Sequence, residues 1–249
     1  MNMRPKRNTG FTLLELMAVM SFVALITGSV LLVLNVSVQR FRVESQFLDS
    51  FQMARLAVDQ MTRDIHGAGY PPANTGWSFP ASQPTAVAFA WAPGYVAGTP
   101  CTVGVTCTMP VPSDLLIEVN TNPATGAGVQ WIRYTLTGTT LMRGVVPKAA
   151  ATDAVAATSV AGVMFPFVTN VINTAQNVPV FTFICQDSSS PPVPKLCTDV
   201  AVTAPNNTAP YIRQIEITLI VQSAQPDPKT GRFQTASLNS DARVLNPIQ

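Results

Sequence analysis

The sequence predicts an α+β protein in which one long N-terminal helix, apolar in its first part and amphipathic in its second, packs on an antiparallel β-sheet head. Three observations predict this class. A short basic segment precedes a long apolar run near the N-terminus. An amphipathic pattern of helical period continues that run without a proline. Most of the remaining chain consists of short alternating apolar segments that are separated by turn residues, a pattern typical of β-strands.

The first element is a basic segment followed by an apolar helix that is long enough to cross a bilayer. Three cations, Arg4, Lys6 and Arg7, precede the apolar residues. The 19 residues Leu16–Leu34 carry no charge, and a membrane-spanning helix needs about 20 such residues. Because Lys and Arg are enriched on the cytoplasmic side of a membrane, we expect the N-terminus in the cytoplasm and the rest of the chain outside it.

Ordinary membrane-targeting segments do not explain the carboxylate of Glu15, the only charge between Phe11 and Val38. A secretory signal peptide has an apolar core of about 7–15 residues, which is shorter than this run. A lipoprotein needs a cysteine directly after the run, and the first cysteine is Cys101. A plain membrane anchor stays as an alternative, although an unpaired charge in an apolar helix is costly and usually has a partner and a role.

The segment Gly10–Leu16, with the sequence GFTLLEL, resembles the N-terminal signal of type IV prepilins and type II secretion pseudopilins. The resemblance implies that a prepilin peptidase cleaves the chain between Gly10 and Phe11 and methylates the new amine of Phe11. It also implies that Glu15, the fifth residue of the mature chain, pairs with the terminal ammonium of a neighbouring subunit during assembly. Such a pair is weakly screened inside a packed filament core.

The apolar segment 11–38 is predicted to continue as an amphipathic segment, 39–66, of the same helix. No proline interrupts it, and the Gly- and Pro-rich sequence at 67–72 predicts where it ends. A helix of about 55 residues is on the order of 80 Å long.

Apolar residues recur on one face of this segment, at Phe47, Phe51, Ala54, Val58, Met61 and Ile65. A coiled coil is the alternative explanation of this stripe, but docking on the strand-rich head fits one stripe better. Four charged residues are expected off the stripe, namely Arg55, Asp59, Arg63 and Asp64.

The region 67–249 is predicted to form the β-rich head, and residues 1–10 the leader. Thr137-Gly138-Thr139 between two of the predicted strands is a hairpin signal. The alanine-rich stretch near residues 145–161 gives no clear pattern, and the Pro-rich stretch near 188–195 is expected to be a loop. The predicted strands are Thr85–Trp91, Asp114–Asn120, Val129–Leu136, Thr140–Val146, Pro179–Cys185 and Tyr211–Val221.

Four cysteines lie in the part of the chain that is expected outside the cytoplasm: Cys101, Cys107, Cys185 and Cys197. An even number of cysteines in an exported region favours disulfides, and the spacings do not match those of zinc sites. Pairing of nearest neighbours, Cys101 with Cys107 and Cys185 with Cys197, is the expected connectivity among the three that four cysteines allow.

Several head segments resemble those of PilW-type minor pilins, namely Met61–Pro71, Ile132–Leu136, Leu141–Arg143, Ile212–Leu219 and Ala242–Asn246. This resemblance implies a low-copy subunit that primes or caps a type IV pilus. The expected partners are the prepilin peptidase, other major and minor pilins, the pilus assembly platform of the inner membrane, and the membrane itself. The expected location is the inner membrane before assembly, with one helix crossing it and the head in the periplasm. After assembly the expected location is the pilus on the cell surface.

The sequence predicts no catalysis, cofactor or metal. His66, the only histidine, sits where the helix should end, where interaction with the helix dipole explains it, and neither a G-x-S-x-G nor a Walker A motif is present. From Gly67 onward basic and acidic residues balance, so the head has no basic patch that would bind the phosphates of nucleic acid.

The alternatives to a minor pilin are a type II secretion pseudopilin, a tip subunit that binds a ligand as an adhesin or DNA-uptake receptor, and, least favoured, an anchored exported enzyme.

Overall fold

The computed structural model describes residues 11–70, 89, 110–121, 128–148, 156–187, 189–203 and 211–245. Within these residues the chain is α+β, as the sequence predicts. One long N-terminal helix is combined with two antiparallel four-stranded sheets, where the sequence had indicated a single sheet.

The long helix α1 spans Leu13–Gly67, 55 residues without a break. Thr12 is its N-cap, and the cap is completed by Glu15 in a reciprocal capping box. At the other end the backbone N–H of Ala68 donates to the carbonyl of Ile65, and Gly69 then adopts a φ of 78° that favours glycine. The predicted helix, its continuity across residue 38 and its length are therefore confirmed.

The first sheet contains β1 (Asp114–Val119), β2 (Gln130–Thr137), β3 (Thr140–Pro147) and β4 (Phe165–Val168) in that spatial order. The turn between β2 and β3 is the predicted hairpin, with Gly138 at a φ of 60°. A short helix, α2 (Ala156–Ala161), packs on β2 and β3. The helix α2 lies at the end of the alanine-rich stretch that had no clear pattern, and β4 is a strand that the sequence analysis missed.

The second sheet contains β5 (Phe181–Gln186), β6 (Pro194–Leu196), β7 (Gln214–Gln222) and β8 (Thr235–Arg243), in the spatial order β6-β5-β7-β8. Strands β5 and β7 correspond to predicted strands, whereas β6 and β8 were not predicted. Of the strand predicted at Thr85–Trp91, only Phe89 is described, and it forms an isolated antiparallel bridge with Ile117. The rest of that predicted strand lies outside the described residues.

The C-terminal half of α1 packs against both sheets, chiefly against β7 and β8, with further contacts to β4 and β1. Four residues of the predicted stripe, Ala54, Val58, Met61 and Ile65, are buried in a core that also contains residues of both sheets. The other two stripe residues, Phe47 and Phe51, are half-buried. The stripe therefore docks α1 on the head, which agrees with the docking explanation rather than with a coiled coil.

The two sheets are joined where the chain leaves β4. Val171 forms an antiparallel bridge with Val221, and the N–H of Ile172 donates to the carbonyl of Ile220. The buried side chain of Asn173 then bonds the backbone of β7 twice, donating to Thr218 O and accepting from Ile220 N. These bonds satisfy backbone groups of β7 beyond its pairing with β5.

The predicted disulfide between Cys185 and Cys197 is present and closes the chain around β6. Inside that loop the Asp187 carboxylate accepts hydrogen bonds from the Ser189 hydroxyl and the Val193 N–H, and it pairs with Lys195 at 3.1 Å. These bonds, that from Ser189 first, hold the pKa of Asp187 well below its usual range. The other predicted pair, Cys101 with Cys107, lies outside the described residues and stays a prediction.

Gly144 of β3 lies so close to α2 that a side chain does not fit. A Cβ at this position would come within 2.5 Å of both the Val160 Cγ1 and the Met164 Sδ atoms. We expect Gly144→Ala to displace α2 and to lower the free energy of unfolding by about 1–3 kcal/mol, the usual cost of overpacking. Chemical denaturation of the detergent-solubilised full-length protein measures this loss. Gly162→Ala is the matched control, because nothing lies within 4 Å of its added Cβ, and equal stability of both variants would contradict the close packing of α2.

Candidate functional site

The first half of α1 presents an uncovered apolar surface. Its large apolar side chains between Phe11 and Val38 have exposed fractions from 45% at Val36 to 84% at Phe11. The most apolar window of α1 has a mean hydropathy of 2.4, and none of it is buried. Within the described part of the chain this is the one helix that is long and apolar enough to cross a membrane. Length and composition are thus consistent with a single-pass membrane anchor.

Glu15 lies at the start of this surface and is bonded within its own chain. Its backbone N–H donates to the Thr12 hydroxyl at 3.3 Å, and its carboxylate accepts from the Thr12 N–H, also at 3.3 Å. The Thr12 hydroxyl lies 3.3 Å from the same carboxylate oxygen. A carboxylate in the first turn of a helix is also stabilised by the helix dipole. The charge that an apolar segment tolerates poorly is therefore held by local hydrogen bonds.

Three residues, Gly10, Phe11 and Glu15, were assigned from the sequence to the N-terminal end of α1. Two of them, Phe11 and Glu15, lie close together in the structure. Phe11 directly precedes the N-cap Thr12 and is exposed, one helical turn from Glu15. Gly10 lies outside the described residues. Thr12 was not singled out from the sequence, although the pattern Thr-x-x-Glu before an apolar run is the signature of a capping box.

A buried charged cluster fastens α1 to the first sheet. Asp64 is only 4% exposed, although its position in the sequence had placed it off the buried stripe, so that expectation was wrong. Its carboxylate accepts from the Tyr134 hydroxyl at 2.5 Å, from the Arg143 guanidinium at 2.9 Å and from the Gln60 amide at 2.7 Å. We call Asp64, Tyr134 and Arg143 the junction cluster.

The sheet positions both partners of Asp64. Tyr134 of β2 and Arg143 of β3 are directly opposite each other in the strand register, and the Arg143 Nε also donates to the Tyr134 oxygen at 2.9 Å. Burial, together with the Asp64 carboxylate, raises the pKa of Tyr134 above its ordinary value, so the phenol keeps its proton. In the junction cluster the carboxylate of Asp64 on α1 thus accepts from Tyr134 of β2 and Arg143 of β3. These bonds fasten α1 to the first sheet.

Two further ion pairs are buried on the other face of the first sheet. Glu118 of β1 is fully buried, and its carboxylate accepts from the Trp131 indole at 2.6 Å and pairs with Lys148 at 2.8 Å. Near the other end of β1, Asp114 pairs with Arg133 at 2.6 Å. Burial raises the pKa of Asp114, and the bonds from Arg133 oppose that shift. The Asp114–Arg133 pair joins the neighbouring strands β1 and β2, whereas the Glu118–Lys148 pair links β1 to the residue that follows β3. Each carboxylate meets donors that compensate its burial.

His66 is half-buried in the last turn of α1, as expected for a residue at the helix C-terminus. Among the described residues, no group of three or more His, Cys, Asp and Glu side chains could hold a metal ion.

Comparison with known proteins gives no assignment. No protein-family model matches the chain, and no curated protein matches it.

The junction cluster gives a direct test of how α1 is held. Asp64→Asn removes the charge that compensates Arg143, whose side chain is 16% exposed. We expect the free energy of unfolding to fall by about 3 kcal/mol, since removing one partner of a buried pair costs roughly 3–5 kcal/mol. Chemical denaturation of the detergent-solubilised chain measures the change. Asp59→Asn, at an exposed position of the same helix, is the control and should cost little. An equal loss in both variants would mean that the junction cluster does not fasten α1.

Proposed function

We propose that this chain is a prepilin-like subunit, a minor pilin of a type IV pilus, which is processed by prepilin peptidase and assembled through its N-terminal helix. One observation carries the proposal: a 55-residue helix leaves its first half uncovered and apolar, with a single carboxylate at its start. The second half of the same helix is embedded in a folded head. A helix of this kind needs a membrane first and neighbouring helices afterwards, because water is a poor solvent for its surface.

The proposed maturation creates a partner for Glu15. Cleavage between Gly10 and Phe11 gives Phe11 a terminal ammonium, which is methylated, one helical turn from the carboxylate. The capping bonds from Thr12 satisfy Glu15 while the subunit is alone in the membrane. A neighbouring subunit's ammonium then replaces these weak bonds by an ion pair in a packed apolar core, where charges attract strongly. Glu15 therefore helps one subunit to recognise the next and sets the register between neighbouring subunits.

The resemblance of the head to PilW-type minor pilins supports a low-copy subunit that primes or caps the filament. In this proposal the junction cluster holds the head on the helix that enters the filament, so that head and helix move as a unit. The partners are the prepilin peptidase, major and minor pilins and the inner-membrane assembly platform. The subunit lies in the inner membrane, with its head in the periplasm, before it joins a pilus on the cell surface.

The assembly role of Glu15 is tested in a strain in which the variant replaces the natural chain. We expect Glu15→Gln to reach the membrane at the normal level but to fall about tenfold or more in sheared filaments. The loss follows because a buried ammonium without its anion costs roughly 3–5 kcal/mol. Immunoblots of the membrane and filament fractions measure both quantities.

Glu44→Gln is the matched control, since Glu44 is an exposed carboxylate of the same helix beyond its apolar part. It should enter filaments normally. Normal incorporation of Glu15→Gln would contradict the proposed role of the carboxylate. Recovery of the natural chain with a secretion pseudopilus instead of a pilus would favour the pseudopilin alternative.

A further inference from the structure

We propose that the turn between β7 and β8 is a second membrane contact, which binds the anionic phosphate headgroups of the leaflet from which α1 emerges. We call residues 224–233 the basal turn. The inference rests on the proposed membrane insertion of α1 and adds an orientation of the head on the bilayer surface.

The position of the basal turn follows from the packing of β7 and β8 on α1. The Thr62 and Ser240 hydroxyls lie 3.2 Å apart, which fixes β8 beside the C-terminal part of the helix. From Ser240 back to Thr235, the first residue of β8, the strand covers about 16 Å. The helix needs about 33 Å from Thr62 back to Arg40. The difference of about 17 Å is within reach of the residues that link β7 and β8 beyond the strand ends.

The electrostatics of Asp227 agree with this position. The N–H groups of Thr230 and Lys229 are the main cause of its lowered pKa, and the positive charge of Arg40 on α1 contributes to the same shift. Arg40 is therefore close enough to act on the basal turn. Because Ser240 lies beside Thr62 and Arg40 acts on Asp227, the turn is at the end of the β7–β8 pair that faces the apolar half of α1.

The depth of Arg40 in a bilayer can be estimated from the two charges that border the apolar segment. From Glu15 to Arg40 the helix rises about 38 Å. The hydrocarbon core of a bilayer is about 30 Å thick, and the bilayer with its headgroups about 40–45 Å. Both charged residues therefore reach the headgroup regions when the segment spans the membrane. A turn beside Arg40 lies at the same level.

The side chains of the basal turn suit an anionic surface. Lys229 and Arg232 are exposed, and none of the ion pairs among the described residues includes either of them. The one acid of the turn, Asp227, is occupied by the N–H groups of Lys229 and Thr230. Phe233 is 47% exposed beside these cations. Cations bind phosphate headgroups, and aromatic rings are favoured at the membrane interface.

The turn is also held in shape by its own backbone. The N–H of Asp227 donates to Arg232 O at 2.8 Å, and the N–H of Gly231 donates to Asp227 O at 2.8 Å. The two cations are thus presented from a closed turn, so little conformational entropy is lost when they bind. A helix that crosses the membrane and a turn that rests on it would together fix the orientation of the head before assembly.

The experiment uses the full-length protein in vesicles of phosphatidylcholine with and without phosphatidylglycerol. A spin label on Thr230→Cys reports the depth of the basal turn. Labels on Val200→Cys, a head position that is 96% exposed, and on Val30→Cys in the apolar segment are references. We expect the Thr230 label to be shielded from an aqueous relaxing agent only in vesicles that contain phosphatidylglycerol. The Val200 label should stay aqueous, and the Val30 label should lie within the bilayer in both vesicles.

A charge reversal tests the chemistry of the contact. We expect Lys229→Glu with Arg232→Glu to return the Thr230 label to water. The matched control, Arg213→Glu with Arg243→Glu, makes the same change at the opposite ends of β7 and β8, about 30 Å away, and should leave the label shielded.

The outcomes separate this inference from the proposed function. An aqueous Thr230 label in anionic vesicles with an inserted Val30 label would overturn the basal contact alone. Shielding that does not depend on phosphatidylglycerol or on the two cations would overturn the headgroup chemistry. An aqueous Val30 label would overturn membrane insertion and the basal contact together.

Discussion

The apolar surface on the first half of α1 is the constraint from which the rest of this structure follows. None of its most apolar window is covered within the described residues. Each large apolar side chain gains about 1.5–3 kcal/mol when it leaves water completely, so burial of this segment in a membrane or among other helices would stabilise the chain. Glu15 has to be accommodated in the same segment. Its carboxylate accepts hydrogen bonds from Thr12, and in the proposed assembly these weak bonds are exchanged for an ion pair with a neighbouring subunit.

The second half of α1 is buried against the head, and in the proposed assembly it has to stay attached there while the first half moves from the membrane into a filament. The apolar stripe packs α1 into the core shared by both sheets, and the junction cluster bonds α1 to β2 and β3. The carboxylate of Asp64 meets its partners in only one position of α1 relative to β2 and β3. Apolar contacts tolerate small shifts along the helix, whereas a buried ion pair does not. The basal turn would extend this fixed geometry to the membrane surface.

The sequence predicted those parts of the fold that local patterns determine. The 3.6-residue period and the absence of proline predicted α1 with its docking stripe, and alternation predicted five strands that have counterparts in the structure. Strand β8 was missed because its sequence, TASLNSDAR, has little apolar alternation and depends on pairing with β7. The burial of Asp64 was not predicted, because its partners Tyr134 and Arg143 lie 70 and 79 residues away in the sequence and no local pattern reveals them. At the candidate site, Glu15 was found as a lone charge in an apolar run, whereas the capping role of Thr12 needed backbone geometry.

Intact mass spectrometry shows whether the N-terminus is processed as it is in prepilins. The protein is purified from membranes of a strain that contains its prepilin peptidase and from a strain that lacks it. We expect a chain without residues 1–10 and with one methyl group on Phe11 in the first strain, and the full-length chain in the second. A full-length, unmethylated chain in both strains would contradict this processing and would leave an ordinary membrane-anchored domain.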